Sequence, residues 1–259
     1  MFIIIHLLRV KINTKLRKIF AVFGRQNCEL CVSTTDFSAE YEKSLLEYYC
    51  RHSDVDGVIM INSHTTETED YEIPVALINP AVESSNGISA DLSPALCEVA
   101  DYLLDKKVDS VGFIGEKLTS GKLQLLKQIS EEKGLAFDEQ YVSISDERFE
   151  KGGYAAMENL FAKGKVPRAI VCGYDYMAIG AIRCIYDHGL SVPGDIAVLG
   201  IDDIAEAEYL NPPLASISSP AKKLCKIAAE AVIKQINGEE AELCRTVDCE
   251  FKLRRSFEI

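Results

Sequence analysis

Between Pro167 and Pro220 two short β-branched runs flank an amphipathic helical stretch, and each run ends in a turn that carries an aspartate. The runs are Arg168 to Cys172, followed by Gly173-Tyr174-Asp175, and Ile196 to Ile201, followed by Asp202-Asp203. The stretch between them, Tyr176 to His188, is closed by Gly189, with Pro193 beyond it. Both are helix stop signals: glycine takes the left-handed cap without steric cost, and proline cannot continue the hydrogen-bond ladder. A strand, a helix and a second strand in this order read as parallel strands joined by a right-handed crossover. That restricts the chain to the α/β class.

The same alternation runs nearly throughout. Strand-like runs are Phe2 to Leu8, Cys28 to Thr34, Val55 to Ile61, Pro74 to Ile78, Ser110 to Ile114, Gln140 to Ile144, Ala169 to Cys172 and Ile196 to Leu199. Helical patterns lie at Asn13 to Arg25, Ala39 to Arg51, Ala95 to Lys106, Lys122 to Lys133, Gly152 to Ala162, Tyr176 to His188 and Ala221 to Ile236. The polar stretch Thr65 to Glu72 reads as a loop, and no internal repeat or low-complexity linker is visible. With 259 residues the chain can bury a substantial core, as one α/β domain or as two lobes.

No run approaches the roughly 18 apolar residues that a membrane span needs. The apolar start, Met1 to Leu8, has its positive charges after it rather than before, the wrong order for a secretory signal, and a buried parallel strand fits it better. A net charge of −12 argues against this chain gripping nucleic acid by itself, since phosphate neutralisation needs clustered Lys and Arg. The charge is uneven: Arg9, Lys11, Lys15, Arg17, Lys18 and Arg25 all precede Glu29. A solvated helix face accounts for that cluster, and a DNA- or membrane-facing patch is the alternative.

The nine cysteines are scattered and sit mostly inside apolar runs, as buried free thiols of a reducing cytoplasm do. Cys28 and Cys31 have CxxC spacing, but in a strand side chains three apart point to opposite faces, so their sulfurs should not converge. No second CxxC or His pair completes a metal set, so no metal and no cofactor is expected. His6, His52, His64 and His188 read as isolated, structural or solvent-facing residues. No G-x-S-x-G, P-loop or G-x-G-x-x-G stands at a strand–helix junction, which leaves no motif for an enzyme.

In open α/β sheets ligands bind beyond the carboxyl ends of the strands, and Asp175 and Asp202 are expected there. A carboxylate accepts two or more hydrogen bonds and can chelate adjacent hydroxyls, each charge-assisted bond contributing about 1.5–3 kcal/mol. The competing reading is that Asp202 or Asp203 caps a helix starting near Ile204.

Four segments of this region resemble the effector-binding domain of LacI/GalR-type transcriptional regulators: Gly173 to Ala178, Gly189 to Ile196, Val198 to Asp203 and Tyr209 to Leu214. Weaker resemblance extends from about Cys28 to the C-terminus. It implies a periplasmic-binding-protein-like fold of type I, with two Rossmann-like parallel-sheet lobes joined by three crossover strands near Ser89 to Asp91, Ser216 to Pro220 and Cys249 to Lys252. The lobes would comprise residues 1–90 with 219–249, and 91–218 with 250–259.

The resemblance also nominates site residues. Asp91 ends a strand before a helix, as an Asp-Asn pair does in the family, but here Leu92 replaces the Asn; ligand or hinge contact and simple capping stand side by side. Lys122 aligns with an effector-binding arginine, in Lys122-Leu123-Gln124-Leu125-Leu126 where the family has Arg-Leu-x-Gly-Phe. Lysine keeps the charge and gives up the planar fork, and a surface lysine is the alternative. Arg148 or Phe149, ahead of Gly153-Tyr154, could line the site or form a plain helix-approach loop, and Asn62 and Ser63 could donate from the loop after the third strand. The polar Asn-Pro turn usual after the family's first strand is missing from Leu7 to Lys11.

The implied function is binding of a small polar effector, a sugar or sugar derivative, by a cytoplasmic, homodimer-forming regulatory domain. DNA would be read only through a helix-turn-helix N-terminal to it, which this sequence lacks. The alternative is a solute-binding protein of a sugar transporter.

Overall fold

The computed structural model describes residues 2–7, 29–35, 38–51, 55–63, 71–80, 84–241 and 243–259. The helix expected over 13–25, the basic cluster, Cys28 and most of the polar stretch 65–72 lie outside the described residues.

Along the first part of the chain the elements are β1 (Phe2–Leu7), β2 (Glu29–Thr34), α1 (Ala39–Arg51), β3 (Gly57–Ile61), β4 (Val75–Ile78), β5 (Gly87–Asp91) and α2 (Ser93–Asp105). Then come β6 (Val111–Glu116), α3 (Ser120–Lys133), β7 (Phe137–Ser145), α4 (Phe149–Ala162), β8 (Ala169–Cys172), α5 (Asp175–Asp187) and β9 (Ala197–Ile201). The last are β10 (Ala215–Ser218), α6 (Ala221–Ile236), β11 (Arg245–Asp248) and β12 (Glu250–Lys252). Two compact units result, Met1–Asp91 with Pro220–Val247, and Leu92–Ser219 with Asp248–Ile259.

The sheets run β11-β5-β4-β3-β1-β2 and β12-β10-β9-β8-β6-β7. They share one plan. In each unit the first strand lies between the second and the third, so the winding reverses at that strand. The β1–β2, β1–β3, β3–β4 and β4–β5 pairs are parallel, and so are β6–β7, β6–β8, β8–β9 and β9–β10. An antiparallel strand, β12, pairs with β10 at the edge of the second sheet. The repeat is one of architecture; no residue pattern announced it.

In the first unit, alternate side chains of β3 and β4 go to opposite faces. Ile59, Ile61, Ala76 and Ile78 pack on Leu224, Ala228 and Val232 of α6, while Val58, Met60, Val75 and Leu77 pack with Leu46 of α1. Both faces are covered, which is why these strands read as continuous apolar runs rather than as an alternation. Burying each Ile, Leu, Val or Met fully contributes about 1.5–3 kcal/mol.

In the second unit, α4 and α5 cover one face, where Ile114, Ile170, Cys172 and Val198 meet Ala156, Met157, Leu160, Met177, Ala181 and Ile185. The two helices approach until a Cβ on Gly153 would sit 1.9 Å from the Met177 carbonyl oxygen, and one on Gly180 1.9 Å from that of Glu150. Tyr102 of α2 contacts the rings of Phe251 and Phe257 and donates its hydroxyl to the Phe257 carbonyl at 3.1 Å. Asp195, prominent in the sequence after Val192-Pro193, forms a turn: its Oδ2 accepts the Ser191 amide at 2.7 Å and hydroxyl at 2.5 Å.

Candidate functional site

The carboxyl ends of the parallel strands carry strained backbone. Of the six non-glycine residues with positive φ among those described, five follow strand ends: Asn62 (56°) after β3, Asn79 (50°) after β4, Phe149 (58°) after β7, and Asp202 (116°) and Asp203 (51°) after β9. Asn and Asp tolerate this region, but for a phenylalanine it is an outlier, and such strain persists only where surrounding contacts impose it.

The contacts that hold Phe149 define the site. In the second unit the winding reverses at β6, which makes the ends of β6 and β8 the place where such sheets take ligands. Glu116, the last residue of β6, is 5% exposed. Its Oε1 accepts from Arg148 Nε at 2.9 Å and from the Tyr174 hydroxyl at 3.1 Å. The same hydroxyl accepts the Phe149 amide at 2.9 Å, so Tyr174 pins the loop between β7 and α4 to the loop after β8. Burial, reinforced by the Glu116 charge, pushes the Tyr174 phenol above its ordinary value, so it stays protonated and keeps its donor.

Lys122, in the first turn of α3, reaches across to the Gly173 carbonyl at 2.7 Å. Thr119 closes the turn before it, donating to the Glu116 carbonyl at 2.7 Å and accepting its amide at 2.9 Å. Gly173 has no room for a side chain, since a Cβ there would sit 2.6 Å from Thr119 Cγ2. The Arg148 guanidinium lies over the Phe149 ring, 5.1 Å from its centroid. Three connections, after β6, β7 and β8, thus bring two cations, a buried carboxylate, a phenol and an aromatic face together. Such a set can hold a small polar ligand in a defined orientation through charge-assisted hydrogen bonds.

Lys122, Arg148 and Phe149 therefore come together as a group. Asp175 does not present itself as expected. It is 0% exposed, its Oδ1 accepts the Ser216 hydroxyl at 2.6 Å and its Oδ2 the Ile204 amide at 2.8 Å. With both oxygens committed inside the unit, Asp175 ties α5 to β10 and to the turn after β9 instead of offering a carboxylate to solvent. Burial, together with the charges of Asp202 and Asp203, lifts its pKa to about 7 against the hydrogen bonds from Ser216 and Ile204.

Asp202 is exposed and strained. The helix expected near Ile204 is replaced by a 3-10 turn at Ala207–Tyr209. Asp203 is no cap; it pairs with Arg254 at 2.7 Å, while Arg254 also donates to the Leu214 carbonyl. Asp91 is half-buried at the end of β5, and Leu92, which cannot cap through its side chain, takes the N-cap position of α2. In the first unit Ser63 is fully buried and donates to Glu42 Oε1 of α1 at 2.5 Å, so the hydroxyl expected to reach a ligand serves the fold instead.

Glu116, Thr119 and Tyr174, which the sequence does not single out as ligand contacts, complete the candidate group. A signal existed for Glu116: it is a charged residue closing an otherwise apolar strand at the winding reversal. Recognising the reversal, however, requires the strand order.

Comparison with known proteins agrees with this architecture. Residues 100–257, more than half of the chain, match the periplasmic binding protein-like domain family. The ribose operon repressor of Haemophilus influenzae is 27% identical over 219 residues, which cover 80% of this chain and 65% of the relative, so the chain spans about two thirds of that protein's length. The transcription regulator GntR from Chromobacterium violaceum superposes with a TM-score of 0.88 at 21% identity over 100% of both chains. A structure described as a transcriptional regulator CelR–cellobiose complex gives 0.85 at 21% identity, covering 98% of this chain and 84% of that one. No helix among the described residues is long and apolar enough to cross a membrane. With its two sheets wound alike and the LacI/GalR-type segments in its second unit, the chain belongs to the family of periplasmic binding protein-like domains, in the form found in LacI/GalR-type regulators.

Proposed function

We propose that the chain is the effector-binding and dimerisation domain of a LacI/GalR-type transcriptional regulator, and that its effector is a small polar molecule, a sugar or sugar derivative. The observation that carries this reading is the group of Arg148, Glu116, Tyr174 and Lys122 at the ends of β6 and β8. Donors from Arg148 and Lys122 and an acceptor from Glu116 suit a ligand dense in hydroxyls. Apolar faces such as that of Phe149 suit the carbon side of a sugar ring. A solved relative that carries cellobiose supports the ligand class. Asp202, exposed at the end of β9, and Asp91, at the end of β5, remain in the proposal as further contacts; Asp175 and Ser63 leave it for the reasons of burial given above.

The group contains acids, bases and donors but no activated nucleophile, so binding without turnover is the proposed activity. In such regulators an effector acts by shifting the equilibrium of a DNA-binding unit, a coupling of about 1–3 kcal/mol. The domain is proposed to work as a homodimer, which sedimentation tests.

A thermal-shift screen of sugars, sugar phosphates and purines tests the reading. A ligand present at about 100-fold its Kd stabilises a protein by about 2.7 kcal/mol, a readily visible shift. The expected hit is a sugar or sugar derivative, with the shift lost in both Arg148→Ala and Lys122→Ala. A hit whose shift survives both substitutions would move the site elsewhere, and a purine as the single hit would replace the ligand class.

A further inference from the structure

We propose that Glu158 of α4, Cys184 of α5 and His188, the residue that caps the C-terminus of α5, form a binding site for a thiophilic divalent cation of the Zn2+ type. Cys184 and His188 are four residues apart at the end of one helix and so share a face, and Glu158 approaches them from the neighbouring helix. Oε2 of Glu158 lies 3.4 Å from the Cys184 sulfur and 3.6 Å from His188 Nε2, and all three ligand atoms lie within 4.8 Å of one another. Metal–sulfur bonds of about 2.3 Å and metal–nitrogen or –oxygen bonds of about 2.0–2.2 Å, set tetrahedrally, require ligand atoms about 3.4–3.6 Å apart. Two edges of that tetrahedron are already in place.

The histidine is oriented for the task. Its Nδ1 lies 3.0 Å from the Cys184 carbonyl oxygen. With the proton on Nδ1 donated to that carbonyl, Nε2 keeps its lone pair 3.6 Å from the Glu158 oxygen, and the Cys184 sulfur lies 3.9 Å from Nδ1 of the same ring. Metal-binding histidines are held in this way, by a hydrogen bond from the nitrogen that does not touch the metal. The Phe161 ring stacks on the imidazole, with centroids 4.1 Å apart and planes 19° from parallel, and fixes its plane. A histidine–carboxylate pair at the surface would contribute little by itself, and it would not explain why a buried thiol points at the same oxygen.

Binding a divalent cation forms one metal–sulfur bond and releases the thiol proton to water. One of the three ligands is sulfur, so a cation with high affinity for thiolate is required, which excludes Mg2+ and Ca2+. The carboxylate and the imidazole supply the other two ligands. The His188 and Glu158 side chains are 34% and 48% exposed, which leaves the fourth position to water. The trio sits at the far end of the 13-residue α5 from Asp175, roughly 18 Å along the helix, and at the opposite end of the strands from the Arg148 group. A cation there would clamp α4 to α5 without touching the proposed effector site.

Titration of the intact chain with Co2+ tests this, because a cobalt–thiolate bond adds a charge-transfer band in the near ultraviolet; competition with Zn2+ then ranks the two ions. The expected result is a saturable band that is lost in Cys184→Ser. Affinity should also fall about tenfold or more in His188→Ala and in Glu158→Gln, whose side chains are partly exposed. Cys31 and Cys244 are exposed thiols, so the titrated chains carry serine at both positions and neither adds a band. A band that persists in Cys184→Ser, an affinity unchanged in His188→Ala, or no band at all would overturn the site.

Discussion

The Ser216 hydroxyl donates to Oδ1 of Asp175 at 2.6 Å, joining the first turn of α5 to β10 through a carboxylate that has no exposed surface. This one contact explains why an aspartate stands in the Gly173-Tyr174-Asp175 turn. It closes the loops after β8 and β9 over the sheet, and the Ile204 amide on Oδ2 completes the tie.

It also makes stability depend on pH. The Asp175 carboxyl is lifted from its ordinary 3.8 to about 7, chiefly by burial. The folded state therefore holds a proton that the unfolded chain releases first. Its favourable contribution is complete below about pH 4 and is lost as pH rises towards 7. At 1.36 kcal/mol per pH unit the upper bound is about 4 kcal/mol. Urea unfolding between pH 4 and 7 should show stability falling with pH from this group, and Asp175→Asn should flatten that part of the profile. An Asp175→Asn profile parallel to that of the parent chain would mean the carboxyl titrates normally.

Substitutions at glycines should separate close helix contact from mere helix propensity. Gly153→Ala and Gly180→Ala each drive a methyl into backbone 1.9 Å away, which no rotamer relieves. Each should cost about 1–3 kcal/mol or more, read as a lower urea midpoint. Gly121, in the first turn of α3, has nothing within 4 Å of its Cβ position. Gly121→Ala should be neutral or stabilising by up to about 1 kcal/mol.

Glu116 offsets part of the positive charge that Arg148 and Lys122 bring to the proposed effector site. In Glu116→Gln the guanidinium of Arg148 loses its carboxylate partner, and the group gains positive character. Thermal shifts should then move in favour of phosphorylated over neutral sugars relative to the parent chain. Arg148→Ala acts the other way, leaving a carboxylate that is 5% exposed without its cation, and should destabilise the chain by a few kcal/mol. A ligand ranking unchanged by Glu116→Gln would remove this residue from ligand discrimination.

The thiols should react in two classes. Cys31 and Cys244 are exposed, while Cys172, Cys184, Cys225 and Cys249 are buried. Burial also raises the thiol of Cys50, to about 11, and that of Cys172 further still. A thiol reagent at neutral pH should label Cys31 and Cys244 rapidly in the native chain, and Cys50 and Cys172 only on unfolding. Mass mapping of the labelled peptides gives the order.

Elements were legible wherever a local pattern carried them. The helices at Ala39–Arg51 and Ala221–Ile236 and the strand at Ala169–Cys172 have the bounds their residue patterns indicate, because amphipathic period and β-branched composition are properties of adjacent residues. The LacI/GalR-type segments were legible for the same reason. Each is a continuous turn whose glycines, prolines and aspartates shape local backbone. The helix expected near Ile204 failed because Asp202 and Asp203 looked like caps, whereas Asp203 is claimed by Arg254, 51 residues further on.

The chain's own order of residues thus determined the class, the succession of strands and helices, and the family. Tertiary structure alone decided which acid is sealed inside the unit and which is met by a cation at the strand ends. Asp175 and Glu116 both stand at the ends of strand-like runs, and nothing local distinguishes them. One is sealed by Ser216, 41 residues away, and the other is met by Arg148 and Tyr174, 32 and 58 residues away. Burial and charge pairing depend on what the sheet order stacks above a residue, and that order depends on long-range packing that no window of neighbouring side chains contains.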